Sequence, residues 1–362
     1  MSNTGKKKGE KKRVAFQIFS HYNLVVRYFV ENALDAEYVK QPEMTRRTLD
    51  AGAKYSPDQV CSPFKLGLGS MIDALDAGAN TIIMTFGICR LGYYGELQEQ
   101  ILRDLGYDFD FINLAEYSTG NMKDFLIALR RINPKVKLPR ILKVAGEALR
   151  MMTVLDTAEE YYYENCGFEV EKGSMKKAWD DLLVSMSRVN SLHEINQVAR
   201  ESRRRFMEIE IDKPEHPIRI GVVGEYFTAV DGFSNLFLEQ KLADMGVEVN
   251  RWMNVTNRNL KYKGKKFEKE IYDYCKYEMG PTSTANIWCA KYYATHGYDG
   301  IIHIKSAGCT PEIDIMPVLQ NISKDYKIPI LYLSYDTQNS DTGLDTRLEA
   351  FYDMLYLRKE AS

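Results

Sequence analysis

Gly78-Ala79-Asn80-Thr81-Ile82-Ile83-Met84-Thr85-Phe86-Gly87-Ile88-Cys89 and Gly297-Tyr298-Asp299-Gly300-Ile301-Ile302-His303-Ile304-Lys305-Ser306-Ala307-Gly308-Cys309 are one phrase written twice. With a single residue inserted in the second copy, both run from a glycine turn through an apolar strand into a cysteine-bearing loop. A short apolar run bounded by turn residues is the pattern of a strand buried on both faces of a parallel sheet. Around each phrase the sequence keeps alternating. Helix spacing over Cys61 to Ala77 precedes the first, and a helix over Gly95 to Leu105 with a strand near Phe109-Asp110-Phe111-Ile112 follows it. Arg13 to Phe19 is the opening strand run. The second phrase is flanked by the strand Ile218-Arg219-Ile220-Gly221-Val222-Val223, a helix expected over Phe233 to Met245 and closed by Gly246, and the strand Val247-Glu248-Val249. A further strand run, Ile328 to Leu333, comes after it. Strands alternating with amphipathic helices imply parallel sheets with helices on their faces. The expected fold class is therefore α/β: two Rossmann-like parallel-sheet domains of similar topology, plus a helical connecting region.

The boundaries follow from shifts in pattern. Residues 1–12 read as a basic tail and 13–137 as the N-terminal α/β domain. Residues 138–213 show helical periodicity with almost no strand signal, and read as a connecting region. Residues 214–362, after Pro214 and Pro217, form the C-terminal α/β domain. The run Arg203-Arg204-Arg205 reads as a solvated helix face.

The 362 residues suffice for two cores, and 48 Lys+Arg against 50 Asp+Glu leave a net charge of −2. That balance excludes a dedicated nucleic-acid binder, which needs a basic excess against phosphates. No apolar run approaches the ~18 residues of a membrane helix. The basic start followed by a run broken at His21 and Asn23 does not read as a signal peptide. A cytoplasmic, reducing location is expected, with six cysteines too sparse for a disulfide scaffold.

In open α/β sheets, ligands gather beyond the carboxyl ends of the strands. Cys89 and Cys309 are both expected there, beside Gly87 and Gly308, whose loops bring backbone N–H groups close. After Cys309, Thr310-Pro311-Glu312 reads as a helix start with Thr as cap and Pro at the first helical position. Cys61-Ser62-Pro63-Phe64-Lys65 has the same grammar. A helix N-terminus favours a thiolate, and Arg90 beside Cys89 acts in the same sense. Two readings stay open on this ground alone: metal ligands, or buried structural thiols. The spacings exclude a zinc ribbon or a ferredoxin run.

Taken together, Cys61-Ser62-Pro63-Phe64-Lys65, Gly87 to Tyr94 (Gly-Ile-Cys-Arg-Leu-Gly-Tyr-Tyr), Gly308-Cys309-Thr310-Pro311-Glu312 and Thr346 to Phe351 resemble the 2-hydroxyacyl-CoA dehydratase family. This group includes D-component-like proteins, benzoyl-CoA reductase subunits and relatives labelled CoA protein activases. The resemblance runs from about Val14 to Leu355. It implies a [4Fe–4S] cluster between two domains, with Cys61, Cys89 and Cys309 as ligands and one iron left open. It also implies low-potential one-electron reduction or radical dehydration, with the cluster potential tuned by the backbone N–H groups at Gly87 and Gly308 and by the charge of Arg90 beside the cofactor. Electrons would come from an ATP-dependent activator protein with its own iron–sulfur cluster. A second dehydratase-like subunit or a homodimer and an acyl-CoA substrate complete the implied set, with no nucleic acid and no membrane. Some members carry a double-cubane [8Fe–9S] cluster on six cysteines. Since this chain also has six, Cys166, Cys275 and Cys289 stand either as further ligands or as ordinary thiols. The alternative functions are thus a double-cubane reductase of small molecules or a non-catalytic electron-transfer subunit. A metal-free scaffold is a third.

Weaker signals complete the reading. Gly67-Leu68-Gly69 is expected to serve helix packing, because no strand precedes it and the third glycine of a dinucleotide fingerprint is missing. No P-loop motif or glycine-rich phosphate loop occurs, so an activator's ATPase role does not suit the chain. His303, in the strand leading to Cys309, and His21, after the first strand, read as core histidines or proton donors. Tyr93 and Tyr94 are candidates for packing or for lining the cleft, and Asp336, Asp341 and Arg347 for a pairing or domain-closing role or for substrate contact.

Overall fold

Among the described residues, eight short strands divide into two four-stranded parallel sheets, whose central strands carry the most deeply buried apolar runs. A computed structural model describes residues 12–84, 94–114 and 122–361 of the chain. It forms two units. One comprises residues up to Ile18, Tyr22–Asp58 and Phe64–Ala148; the other comprises Phe19–His21, Gln59–Pro63 and Leu149 onward.

In the first unit the sheet holds β1 (Arg13–Phe16), β2 (Glu37–Tyr38), β3 (Thr81–Met84) and β4 (Asp110–Asn113), in the order β2-β1-β3-β4. Its helices are α1 (Asn23–Leu34), α2 (Arg46–Tyr55), α3 (Ser62–Asp76), α4 (Tyr94–Asp104) and α5 (Met122–Arg130). Every residue of β3 is buried, which is why it reads as an unbroken apolar run. Gly67-Leu68-Gly69 lies inside α3 as a packing device. A Cβ on Gly69 would stand 2.0 Å from the Thr48 carbonyl oxygen, and one on Gly52 of α2 would stand 1.8 Å from that of Lys65. Only glycine lets the α2 and α3 backbones approach so closely.

Helices α6 (Leu138–Asn165), α7 (Ser174–Met186) and α8 (Leu192–Glu208) come next, with no strand among them. Arg203-Arg204-Arg205 is a solvated face there. Arg204 pairs with Glu208 at 3.0 Å, and Arg205 pairs with Glu201 at 2.8 Å and Asp181 at 3.2 Å.

The second sheet holds β5 (Ile218–Gly224), β6 (Val247–Asn250), β7 (Gly300–Ser306) and β8 (Ile330–Tyr335), in the order β6-β5-β7-β8. This repeats the order of the first sheet, strand for strand. The two echoing phrases supply β3 and β7, the third position in each sheet. Interleaved are α9 (Tyr226–Val230), α10 (Leu238–Asp244), α11 (Gly264–Glu270), α12 (Pro281–Thr295), α13 (Thr310–Tyr326) and α14 (Asp341–Glu360). Alternate residues of β7 serve opposite faces. Ile302 and Ile304 pack with Leu238 and Leu242 of α10 and with the α14 stripe Leu344, Leu348, Phe351 and Leu355. Ile301 packs on the other side with Ile287 and Tyr293 of α12 and Ile315 and Leu319 of α13. Each such side chain, fully buried, contributes about 1.5–3 kcal/mol. Among the described residues, no helix is long and apolar enough to cross a membrane.

One expected helix is shorter than its pattern. The apolar spacing from Phe233 to Met245 yields helix only from Leu238 to Asp244, and α9 stands in front of it. Leu236 and Phe237 both take left-handed backbone angles, φ 57° and 55°. Asp231 caps the intervening turn by accepting from the Ser234 N–H and hydroxyl, and Asn235 donates to the Thr228 carbonyl. Side-chain capping of the backbone overrides periodicity here.

Candidate functional site

In a sheet ordered β6-β5-β7-β8, the crevice falls beyond the carboxyl ends of β5 and β7, where the chain winding reverses. At the end of β5, Gly224 has φ 153°, and a Cβ there would stand 1.9 Å from the Ile304 carbonyl oxygen. The chain then turns out through Glu225. The Glu225 carboxylate accepts from the Phe227 and Thr228 backbone N–H groups, both at 2.8 Å, and caps α9. Burial pushes its pKa up, against those hydrogen bonds, and the nearby Glu312 carboxyl adds to the rise.

At the end of β7, Ser306 is the junction of two loops that are 244 positions apart in sequence. Its hydroxyl oxygen accepts from the Ser62 N–H at 3.1 Å and lies 3.2 Å from the Ser62 hydroxyl. Its carbonyl accepts from the Cys309 N–H at 3.0 Å. The loop Gln59–Pro63, which carries Cys61, therefore docks on the strand end that carries Cys309. The position of a Cβ on Gly308 lies 3.9 Å from the Gln59 carbonyl oxygen, so the two loops run side by side.

Both cysteines occupy equivalent places. Cys61 immediately precedes α3, and Cys309 is the N-cap of α13. Each is followed by a hydroxyl residue and then proline, Cys61-Ser62-Pro63 and Cys309-Thr310-Pro311. The sequence assigned the cap to Thr310; in the structure the cysteine takes the cap and Thr310 is the first helical residue. Proline suits the first turn because the N–H it lacks has no helical partner there. Both thiols are half-buried at the positive ends of helices of 15 and 17 residues, a setting that favours thiolate.

The first turn of α13 is bound to the sheet from below. Glu312 Oε2 lies 2.8 Å from His303 Nε2, with the two side chains 1% and 0% exposed. Glu312 Oε1 accepts from Asn286 Nδ2 at 2.9 Å. Asn286 also reaches β5, donating to the Gly224 carbonyl at 2.9 Å and accepting from the Gly224 N–H at 3.2 Å. Among the described residues His303 Nδ1 has no hydrogen-bond partner. His303 thus links β7 to the first turn of α13, and Tyr332 stands edge-on to it at 5.5 Å. The Tyr332 phenol is pushed up to about 12 by burial.

The remaining sequence candidates separate. Cys289 lies in the apolar layer of α12 among Ile287, Ala290 and Tyr293, and burial pushes its thiol well up. Cys166, one residue past α6, is pushed up to about 12, mainly by burial and then by the Glu169 charge. Cys275 follows α11, with its sulfur 3.1 Å from the Tyr277 carbonyl oxygen. Asp336 and Arg347 line a cavity of about 440 Å³ beyond the end of β8, with Ser334, Gln338 and Asn339. Asp341 instead pairs with Lys241 at 3.2 Å. Arg347 donates to the Tyr332 carbonyl at 2.6 Å. Tyr94 packs edge-on to Phe64 at 5.0 Å. Gly87, Cys89, Arg90 and Tyr93 lie outside the described residues.

The donor set that is described, two half-buried thiols at helix starts joined through Ser306, fits an iron–sulfur cluster. The residues missed by sequence reasoning are Ser306, Asn286 and the pairing of Glu312 with His303. Only the acid in the first turn after Cys309-Thr310-Pro311 was a visible signal.

No curated protein matches the chain. Residues 176–355, which carry β5 to β8 and Cys309, match the family described as 2-hydroxyglutaryl-CoA dehydratase, D-component. Through this segment, about half its length, the chain belongs to the 2-hydroxyglutaryl-CoA dehydratase D-component family.

Proposed function

We propose that the chain is the iron–sulfur component of a 2-hydroxyacyl-CoA dehydratase-type enzyme. Cys61, Cys89 and Cys309 are the three thiolate ligands of a [4Fe–4S] cluster, with Gly87, Arg90 and Gly308 around it. The observation that carries this reading is the Ser306 junction, which brings two Cys-[Ser/Thr]-Pro helix starts to one strand end. When bound, such a cluster supplies single electrons at low potential and one iron without a protein ligand.

The chain's own residues prepare that place. The N-termini of α3 and α13 offset the charge of the thiolates. Asn286 and His303 hold Glu312, so the first turn of α13 stays fixed to the sheet and the Cys309 backbone with it. Arg90 adds positive charge beside Cys89, lowering the cost of adding an electron nearby. An ATP-hydrolysing activator with its own cluster delivers the electrons, a second subunit completes the site, and a CoA thioester is the substrate. The six-cysteine, double-cubane reading is disfavoured by the apolar enclosure of Cys289 and the raised thiols of Cys289 and Cys166.

Anaerobic purification with iron and sulfide counting, beside a Cys309→Ala variant, tests this reading. About four irons per chain, lost in the variant, is the expected result for one cubane. About eight would overturn the single cubane in favour of the double cubane. No iron after reconstitution, or full retention in Cys309→Ala, would sink the assignment. Addition of acyl-CoA is expected to change the cluster's EPR spectrum; an unchanged spectrum would leave a non-catalytic electron carrier.

A further inference from the structure

A second cluster of ligating side chains lies within the second unit, built from none of the cysteines. His21 follows the first strand, while Asp156 and Glu159 stand three residues apart on one face of α6. One ligand atom from each lies within 4.8 Å of the others. All three are withdrawn from solvent. The side chains of His21 and Glu159 are 4% and 8% exposed, and Asp156 is 2% exposed.

The surroundings orient these groups. Glu159 divides its oxygens: Oε2 pairs with Arg251 at 2.8 Å, and Oε1 faces His21 Nδ1 at 3.6 Å. That 3.6 Å is longer than a hydrogen bond. It is near the about 3.4 Å that separates two donors bound about 2.1 Å from one tetrahedral ion. Asp156 Oδ2 accepts from the Thr256 N–H at 2.7 Å, and Trp179 holds the imidazole edge-on at 5.3 Å. Arg251 is shared between Glu159 and Glu239, at 2.8 Å and 2.9 Å, which leaves the second Glu159 oxygen turned toward His21. Beside Glu159 a cavity of about 10 Å³, lined also by Glu160, Glu239, Asn250 and Asn254, is the size of one water.

We propose that His21, Asp156 and Glu159 form a mononuclear site for a divalent first-row cation, with one imidazole and two carboxylate ligands. Such a donor set suits Mn²⁺, Fe²⁺ or Zn²⁺ rather than a soft, thiol-seeking ion. Three protein ligands leave room for solvent on the metal. The site ties the segment after β1 to α6 and is independent of the cysteine cluster.

The test uses the full chain, stripped with a chelator and titrated with Mn²⁺, an ion with little affinity for thiols. Free Mn²⁺ is read by its EPR signal, and melting temperature is recorded in parallel. One equivalent is expected to bind and to raise the melting temperature. Asp156→Asn and His21→Gln are each expected to weaken binding at least tenfold, while Cys309→Ala leaves it unchanged. Two variants are used because one alone could fail through misfolding. No stoichiometric Mn²⁺ binding and no thermal shift in the wild type would overturn the proposal. Wild-type affinity in both folded variants would overturn it equally.

Discussion

Replacing Glu312 by alanine removes two acceptor oxygens and strands two buried donors. His303 Nε2 and Asn286 Nδ2 both lose the carboxylate they face at 2.8 and 2.9 Å. A hydrogen bond to a charged group contributes about 1.5–3 kcal/mol, and a stranded buried donor costs about 1–3 kcal/mol. The two descriptions count the same loss, so the sum is about 3–5 kcal/mol against a typical total of about 5–15. Glutamine keeps the shape and one acceptor. Asn286 Nδ2 can only donate, so the glutamine oxygen must face it and the amide N–H₂ must face His303. The imidazole then has to carry its proton on Nδ1, the atom that has no partner among the described residues. That exchange costs about one bond, or 1–2 kcal/mol. The three tryptophans, Trp179, Trp252 and Trp288, all lie in the second unit, so their fluorescence reports its unfolding alone. With a urea slope of about 3 kcal/mol/M, Glu312→Ala lowers the midpoint by about 1–1.7 M and Glu312→Gln by about 0.3–0.7 M. A Glu312→Ala midpoint within 0.3 M or so of wild type would refute the claim that this carboxylate anchors α13.

Three further outcomes follow from the same reasoning. Ser306→Ala takes the acceptor from the Ser62 N–H, and is expected to cost about 1 kcal/mol of stability. It should also lower iron occupancy in the anaerobic preparation, while an unchanged iron count would separate this contact from the cluster. Gly69→Ala puts a Cβ 2.0 Å from the Thr48 carbonyl oxygen and is expected to destabilise the first unit by about 2 kcal/mol or more. A circular-dichroism melt with no loss would contradict that close approach. Glu248 is half-buried, which opposes ionisation, yet hydrogen bonds and charge from Lys213 and Arg219 outweigh this and hold its carboxyl below the usual range. A lowered folded-state pKa gives stability that is present above the unfolded value of 4.5 and lost as pH falls through the lower folded one. Glu248→Gln should therefore be weaker than wild type at pH 7 by about 1 kcal/mol, with the gap closing on acidification; a gap that stays constant with pH would show that charge is not its source.

What the sequence revealed depended on how local each signal was. Thr81 to Met84 and Gly300 to Ile304 are legible as central strands because burial on both faces demands an unbroken apolar run. Cys61 and Cys309 are legible as helix-start cysteines because proline marks the first turn two residues later. The kink at Leu236 and Phe237 was not, since bulky apolar residues are rarely left-handed and the cause is capping by Asp231. His303 was visible, but its pairing with Glu312 was hidden because a turn at Gly308 lies between them. His21, Asp156 and Glu159 were further out of reach: 135 positions of chain (156 − 21) separate the histidine from the nearer carboxylate.

The contact between Ser62 and Ser306 also sets a clock on biosynthesis. The 244 positions between the two serines take about 12–50 s to translate at 5–20 residues per second. Throughout that interval Cys61 has left the ribosome while the strand end that receives its loop does not yet exist. A cofactor held jointly by the two loops cannot be seated on the growing chain before β7 is made. The proposed cluster would then be seated only after β7 has been made, and through the interval before that the Cys61 thiol is without the partner loop that is to share it.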